Sequence, residues 1–269
     1  MGFNTDIISA TTISGNTFYG DGSNLTGIGG GGLYETGTGT CSTLRCGVNN
    51  TANGNYSVVS GGLCNTNNGD CSVIVGGCYN VLTTSVQKSF IGGGKSNTID
   101  TSGDNFGTII VGGCQNTISG YAPQGTVIIG GWKNTSSGYC AGNNFIGNGY
   151  CNTISGSYAE QNIILGGTLN TILGEKNNVL GGQNNKINTC YSTISGGYSN
   201  TINNDYSGVL GGCNNKVIHN CSFIVGNGIT STAANTTHLN CLHLSSLPTS
   251  SAGLAPGTVW NNSGVLNIA

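Results

Sequence analysis

Nine carboxylates, three histidines and twelve cysteines are the side chains in this 269-residue sequence that could carry reactive chemistry. Cleaving a glycosidic bond takes two carboxyl groups facing that bond. Among Asp6, Asp21, Glu35, Asp70, Asp100, Asp104, Glu160, Glu175 and Asp205, only Asp100 and Asp104 are close in sequence, and both fall in one polar stretch that reads as a solvated loop. His219, His238 and His243 occur only near the end and no Cys-x-x-Cys pair exists, so zinc has no ligand set of the usual spacing. Gly94-Lys95-Ser96 matches the end of a phosphate loop, but Ser89 stands where its first glycine belongs, and Asn97-Thr98-Ile99 continues a repeat instead of opening a helix. No Gly-x-Ser-x-Gly nucleophile pattern and no Asp-bearing calcium nonapeptide occurs. The sequence therefore reads as non-enzymatic, with no cofactor.

Composition narrows the partners. Seven Lys plus Arg (Arg45, Lys88, Lys95, Lys133, Lys176, Lys186 and Lys216) are too thinly spread to neutralise many phosphates, which argues against nucleic acid. No apolar run approaches the roughly 18 residues of a membrane span, so no membrane insertion is expected. Residues 1–6 lack a basic and an apolar region, so no secretory signal is expected, and assembly would take place inside a cell. The cysteines fall into columns: Cys41, Cys71 and Cys221; Cys78, Cys114 and Cys213; Cys64 and Cys151. Adjacent copies never repeat a column, so free, partly buried thiols are favoured over a disulfide ladder.

Those columns belong to a repeat that organises the chain. Cys71-Ser-Val-Ile-Val-Gly-Gly-Cys-Tyr-Asn80 is answered by Lys88-Ser-Phe-Ile-Gly-Gly-Gly-Lys-Ser-Asn97. Numbered from the first glycine of its pair, the copies start at Cys46, Gly61, Gly76, Gly93, Gly112, Gly130, Asn148, Gly166, Gly181, Gly196, Gly211 and Gly226, at spacings of 15 to 19 residues. Two residues earlier each copy carries an aliphatic residue, including Ile74, Ile91, Ile110, Ile128, Ile146, Ile164, Ile194 and Ile224. Four residues before the start stands Ser, Thr or Asn, and four after it Asn in eleven of twelve copies. Each copy reads as strand, glycine corner, short second strand. A 15-residue unit of this kind cannot bury its own apolar face, whereas a stack can. The expected fold is all-β: a parallel β-solenoid of about 11–12 coils with one interior column of Ile and a structural Asn ladder at a turn. Residues 1–40 read as an adaptor and linker, 41–232 as the solenoid, and 233–269 as a small C-terminal β cap and oligomerisation segment built on Trp260, Val265, Leu266 and Ile268.

The middle copies are longer, with extra residues at the same corner each time: 83–87, 100–106, 120–125, 137–143 and 156–161. Insertions at one corner build a patch on one face, and here the candidate binding residues are Phe106, Tyr121, Tyr139 and Tyr158, with Trp132 nearby. Tolerated loop drift accounts for the insertions equally well. Several copies are apolar on both sides of the constant aliphatic residue, as at Val73 and Val75, Ile109 and Val111, and Ile163 and Leu165. A strand apolar on both faces is normally buried on both. A neighbouring copy is expected there, and a homotrimer is the closed solution that suits a fibre.

The stretch 13–28, with Phe-Tyr-Gly-Asp-Gly-Ser-Asn-Leu-Thr-Gly at 18–27, resembles a segment of bacteriophage tail-fibre and related virion proteins, and 247–268 resembles the closing segment of phage structural proteins. Over residues 41–232 the repeat, as in Ser-Val-Ile-Val-Gly-Gly at 72–77 and Ser-Phe-Ile-Val-Gly at 222–226, is similar to the head repeat of trimeric autotransporter adhesins, which implies a left-handed parallel β-roll in trimers. The doubled glycine, the Asn-Thr-Ile tail and the cysteines depart from that family, as does the lack of its signal and membrane anchor. These resemblances imply a structural tail fibre on a virion that contacts other virion proteins and attaches to a host-surface glycan or protein receptor. The alternative is an extracellular adhesin or self-assembling filament at a cell surface. A third class, an ice-binding solenoid, needs a regular Thr array, and the Thr column from Thr51 to Thr201 is broken by Val81, Lys186 and Lys216.

Overall fold

The computed structural model describes residues 35–45, 48–103 and 106–269, so the stretch 13–28, the repeat start at Cys46 and the carboxylate of Asp104 lie outside the described residues. Among the described residues there is no helix, and the short strands stack as a parallel β-solenoid. Each of the first eleven coils contributes one strand to each of two sheets. In the first sheet Val58 pairs with Val73, Val73 with Phe90 and Phe90 with Ile109. In the second Thr66 pairs with Val81 and Val81 with Thr98. Strands of two residues are held by the coils above and below: Val73 N donates to Ser89 O at 3.0 Å and Val75 N to Ile91 O at 3.0 Å. Because side chains alternate between faces, this register sends the same repeat position inward in every coil.

The first sheet runs through thirteen parallel strands, from Thr43–Leu44 to Thr237–Leu239, a stack roughly 60 Å long at about 4.8 Å per strand. The stack thus continues to Leu239, beyond the boundary at 232 and the 11–12 coils read from the periodicity. In the last coil His238 lies opposite Ile224, so the aliphatic signal disappears while the strand persists. At the other end Glu35–Thr36 pairs antiparallel with Thr43–Leu44, occupying an edge that would otherwise be open to another strand. Residues 35–40 therefore belong with the first coil and not with a linker.

The interior holds two facing columns instead of the single one expected. The first contains Ile74, Ile91, Ile110, Ile128, Ile146, Ile164, Ile194 and Ile224, all fully buried. The second, supplied by the other sheet, includes Leu82, Ile99, Ile118, Ile154, Ile172 and Ile202, also fully buried. Its signal in the sequence is weaker because Asn67 and Ser136 take two of its places. Burying each such aliphatic side chain favours the coil by about 1.5–3 kcal/mol.

The asparagine column forms the expected ladder at a turn. Asn97 N donates to Asn80 Oδ1 at 3.0 Å, Asn97 Nδ2 donates to Gly93 O at 2.9 Å and Gly113 O at 3.1 Å, and Asn97 Oδ1 accepts from Asn116 N at 3.0 Å. The left-handed residue is the one before each asparagine: Tyr79 (φ 59°), Gln115 (φ 57°), Lys133 (φ 57°) and Leu169 (φ 58°). A like ladder runs along the other corner, where Asn162 N donates to Asn144 Oδ1 and Asn177 N to Asn162 Oδ1, each at 3.0 Å. Again a left-handed residue precedes, as at Lys176 (φ 54°) and Tyr191 (φ 56°). Left-handed backbone costs a non-glycine residue roughly 1–2 kcal/mol. Inter-coil bonds such as Tyr191 N to Glu175 O at 3.0 Å hold it in place.

After the stack, Val259–Asn262 and Val265–Ile268 form an antiparallel hairpin whose apolar side chains stay largely exposed in one chain, Ile268 at 74%.

Candidate functional surface

The corner opposite the glycine pair, where the second strand returns to the first sheet, carries the insertions. They are in register with one another. Thr98–Ser102 pairs with Thr117–Tyr121 along five residues, from Thr117 against Thr98 to Tyr121 against Ser102. The ladder continues as Tyr121 bridges Tyr139, and Tyr158 N donates to Tyr139 O at 2.8 Å. Close stacking of Gly120 on Gly138 allows this: a Cβ on Gly120 would lie 2.1 Å from Gly138 O. Val86, Ala141 and Ala159 are fully buried beneath the inserted turns. The insertions therefore form a ledge with its own hydrogen bonds and a small apolar filling.

Three of the five candidate aromatic residues come together on this ledge. Tyr121 and Tyr139 stack with ring centroids 4.9 Å apart and planes 11° from parallel, and Tyr158 meets Tyr139 edge-on at 5.8 Å. The outer face of Tyr121 lies over Gly103, where a Cβ would be 2.6 Å from the ring. The faces of Tyr121 and Tyr139 are thus used within the chain, and the ledge presents mainly ring edges and hydroxyls. Phe106 sits on the same corner one coil earlier, with the Lys88 ammonium 4.8 Å from its ring centre. Trp132 is elsewhere, on the glycine corner: its backbone bridges Cys114 and Tyr150, its Nε1 donates to Gln115 Oε1 at 2.7 Å, and Tyr150 packs edge-on at 5.2 Å.

A second stacked pair was missed by sequence reasoning. Tyr191 and Tyr206, on the same corner as the ledge, lie 4.9 Å apart at 12°, and Lys176 Nζ donates to Tyr191 Oη at 3.0 Å. Their signal was the dipeptide Tyr-Ser recurring at 191 and 206 in one column. The Tyr191 hydroxyl, and after it the Glu175 carboxylate, raise the Lys176 pKa against the opposing effect of burial. Tyr139 is also raised, first by Cys140 and then by Tyr158 and Tyr121, all of which would add like charge on ionising. Asp205 is lowered, because it accepts from the Thr189 hydroxyl and from Cys190 N, the latter at 2.9 Å.

Asp100 Oδ1 accepts from Thr83 Oγ1 at 3.0 Å, within a column of polar side chains on the second sheet. Among the described residues, no three His, Cys, Asp or Glu side chains come together to hold a metal ion, no helix is long and apolar enough to cross a membrane, and eleven cysteines are unpaired and exposed or half-buried. No protein-family model matches the chain, and no curated protein does.

Proposed function

We propose that this protein is a non-enzymatic structural fibre subunit, similar to a phage tail fibre, that attaches to a host-surface receptor, glycan or protein, through the inserted ledge. One observation carries the reading: insertions in successive coils share a register, a buried filling and a stack of tyrosines. Unselected loop drift has no reason to keep any of these. The two-column core supplies the stiffness of a rod, and the chain's apolar outer face is covered by further copies of itself, with a trimer as the closed arrangement that suits a fibre. Other virion proteins anchor it in this reading, and the virion is its site of action.

The test is binding of the purified full chain to arrays of surface glycans and envelope proteins and to intact bacterial cells. Replacing Tyr121, Tyr139 and Tyr158 together by Ser should abolish binding while circular dichroism stays that of the coil stack. Undiminished binding by this variant would remove the ledge from the attachment role. Capture by animal cells or matrix proteins, with no bacterial ligand, would favour a cellular adhesin.

A further inference from the structure

Trp132 has no place on the ledge, and its surroundings on the glycine corner form a patch of their own. Lys95, Cys114, Trp132 and Tyr150 follow one another up a single ladder, each bridged by its backbone to the next. In the adjoining column stand Gln115, whose N donates to Lys95 O at 2.8 Å, and Lys133, whose N donates to Cys114 O at 3.0 Å. The indole is pinned and still open. Its Nε1 donates to Gln115 Oε1 at 2.7 Å, which draws it toward the preceding coil, and Tyr150 supports it edge-on at 5.2 Å, yet 47% of Trp132 remains exposed. An aromatic residue already held in one orientation costs little further ordering when a ligand settles on it.

The patch is also positive. The Lys133 ammonium lies 5.3 Å from the centre of the Trp132 ring, and Lys95 stands two strand spacings away, about 10 Å. Among the described residues this corner has no carboxylate, and neither lysine has an ion-pair partner. Two other lysines lie over rings, Lys88 over Phe106 and Lys176 over Tyr191, but they share the opposite corner with Asp70, Glu160, Glu175 and Asp205, and Lys176 is paired with Glu175 at 3.5 Å. A pinned ring beside an unpaired ammonium suits a ligand with a flat apolar face and a negative charge at its edge. A uronic acid has both: ring C–H groups for the indole and a carboxylate for the lysine. Nucleic acid fits less well, because two lysines neutralise too few phosphates.

We propose that the glycine corner around Trp132 is a second attachment site, which takes a bacterial surface polysaccharide containing uronic acids. One sugar ring rests on the Trp132 indole, and its carboxylate accepts a charge-assisted hydrogen bond from Lys133 Nζ. Gln115 and Tyr150 bond the sugar hydroxyls, and a carboxylate further along the polymer meets Lys95. This rests on the cell-attachment reading above but not on the ledge, whose acidic corner repels such a polymer. Covering the apolar face with further copies leaves the glycine corner at its rim, where interface residues keep contact with solvent.

The experiment titrates the full chain with alginate and hyaluronate, two uronic-acid polymers that bacteria secrete, with neutral dextran, heparin and single-stranded DNA as controls. A uronic-acid polymer should bind, more weakly as salt rises, and dextran should not. Trp132→Ala and Lys133→Gln should each lower that affinity about tenfold, with melting unchanged because both side chains are exposed. The ledge variant with Tyr121, Tyr139 and Tyr158 replaced by Ser should bind the polymer as the parent does. Binding of neither polymer, binding of dextran as tight as theirs, or binding indifferent to Trp132→Ala would overturn the proposal. So would tighter binding of heparin or DNA, which would mark a surface that reads charge alone. These results leave the ledge untouched, since its own test is binding to cells and arrays; loss of cell binding in the ledge variant with polymer binding intact would show two separate sites.

Discussion

A buried asparagine is tolerable at a turn only when its hydrogen-bonding groups find partners, and Asn116 meets that condition. Its Nδ2 donates to Gly112 O at 3.0 Å and Gly131 O at 3.1 Å, and its Oδ1 accepts from Asn134 N at 2.9 Å. Asn116→Ala removes three hydrogen bonds, one to a buried N–H and two to half-buried carbonyls, of which Gly131 O keeps the bond from Cys114 N, and at about 1 kcal/mol for each the loss should be about 2–3 kcal/mol. Asn203→Ala, at an exposed position, should stay within about 0.5 kcal/mol. Denaturant unfolding of the two variants checks the difference, and equal losses would mean that the ladder is not what holds the corner. Asp205 makes a separate prediction about pH. Its lowered pKa in the folded chain means that its contribution is present above the ordinary carboxylate value of about 3.9 and is lost as pH falls through the folded value. Asn55 occupies the same column and accepts from Thr40 N at 3.0 Å, so an amide can do the same structural work. Asp205→Asn should therefore match the parent near pH 7 and lose less stability between pH 5 and pH 2, as followed by thermal melting.

At the scale of the coil, the structure reveals a half-repeat inside the 15-residue unit. Tyr191-Ser192-Thr193-Ile194 and Ser199-Asn200-Thr201-Ile202 are the same sentence: a left-handed residue, a polar ladder residue, an outward residue and an inward aliphatic one. The first interior column was legible in the sequence because its aliphatic residue never fails; the second, broken by Asn67 and Ser136, was not. Stacking of the tyrosines on the ledge was legible only as a shared corner, since ring geometry depends on Gly103 and on a ladder that runs on past Ile99 and Ile118 to Ser102 and Tyr121. Trp132 was placed near the patch by sequence proximity, yet proximity along a coil means little when one short strand carries the chain to the other corner. Because each coil touches only its neighbours, the stack should tolerate loss of a whole unit. Deleting residues 182–196 joins Gly181 to Gly197 and preserves every column. The shortened chain should fold with the same circular dichroism spectrum and melt somewhat lower. Failure to fold would show that the coils are not interchangeable. The last coil differs from the rest: His238 takes the place of an interior aliphatic residue, and its buried Nε2 has no hydrogen-bond partner. His238→Leu should stabilise the C-terminal end by up to about 1 kcal/mol, measured as slower amide exchange in Thr237–Leu239.

For the whole molecule, the decisive asymmetry is between the two sheets. Inside, both supply aliphatic residues; outside, the first shows Val75, Val111, Ile129, Leu165 and Leu210 to solvent, each more than 40% exposed, while the second shows mainly Thr and polar partners. A chain with only 6% charged residues has little electrostatic protection against association through such a face, so the face must be either covered or a liability. Ile129→Asp with Leu165→Asp separates these cases. Both side chains are half exposed in the single chain, so a carboxylate at either position remains hydrated there and coil stability should change by no more than about 0.5 kcal/mol. Between copies the same carboxylates would be buried without partners, at a cost of several kcal/mol each. Light scattering should therefore show the double variant as a monomer at concentrations where the parent is assembled, with an unchanged far-ultraviolet spectrum. An assembled mass that survives both substitutions would mean that this face points to solvent in the assembly, and that the copies are held elsewhere, through the C-terminal hairpin and the leucines at 242, 244 and 247 that line the groove beside it.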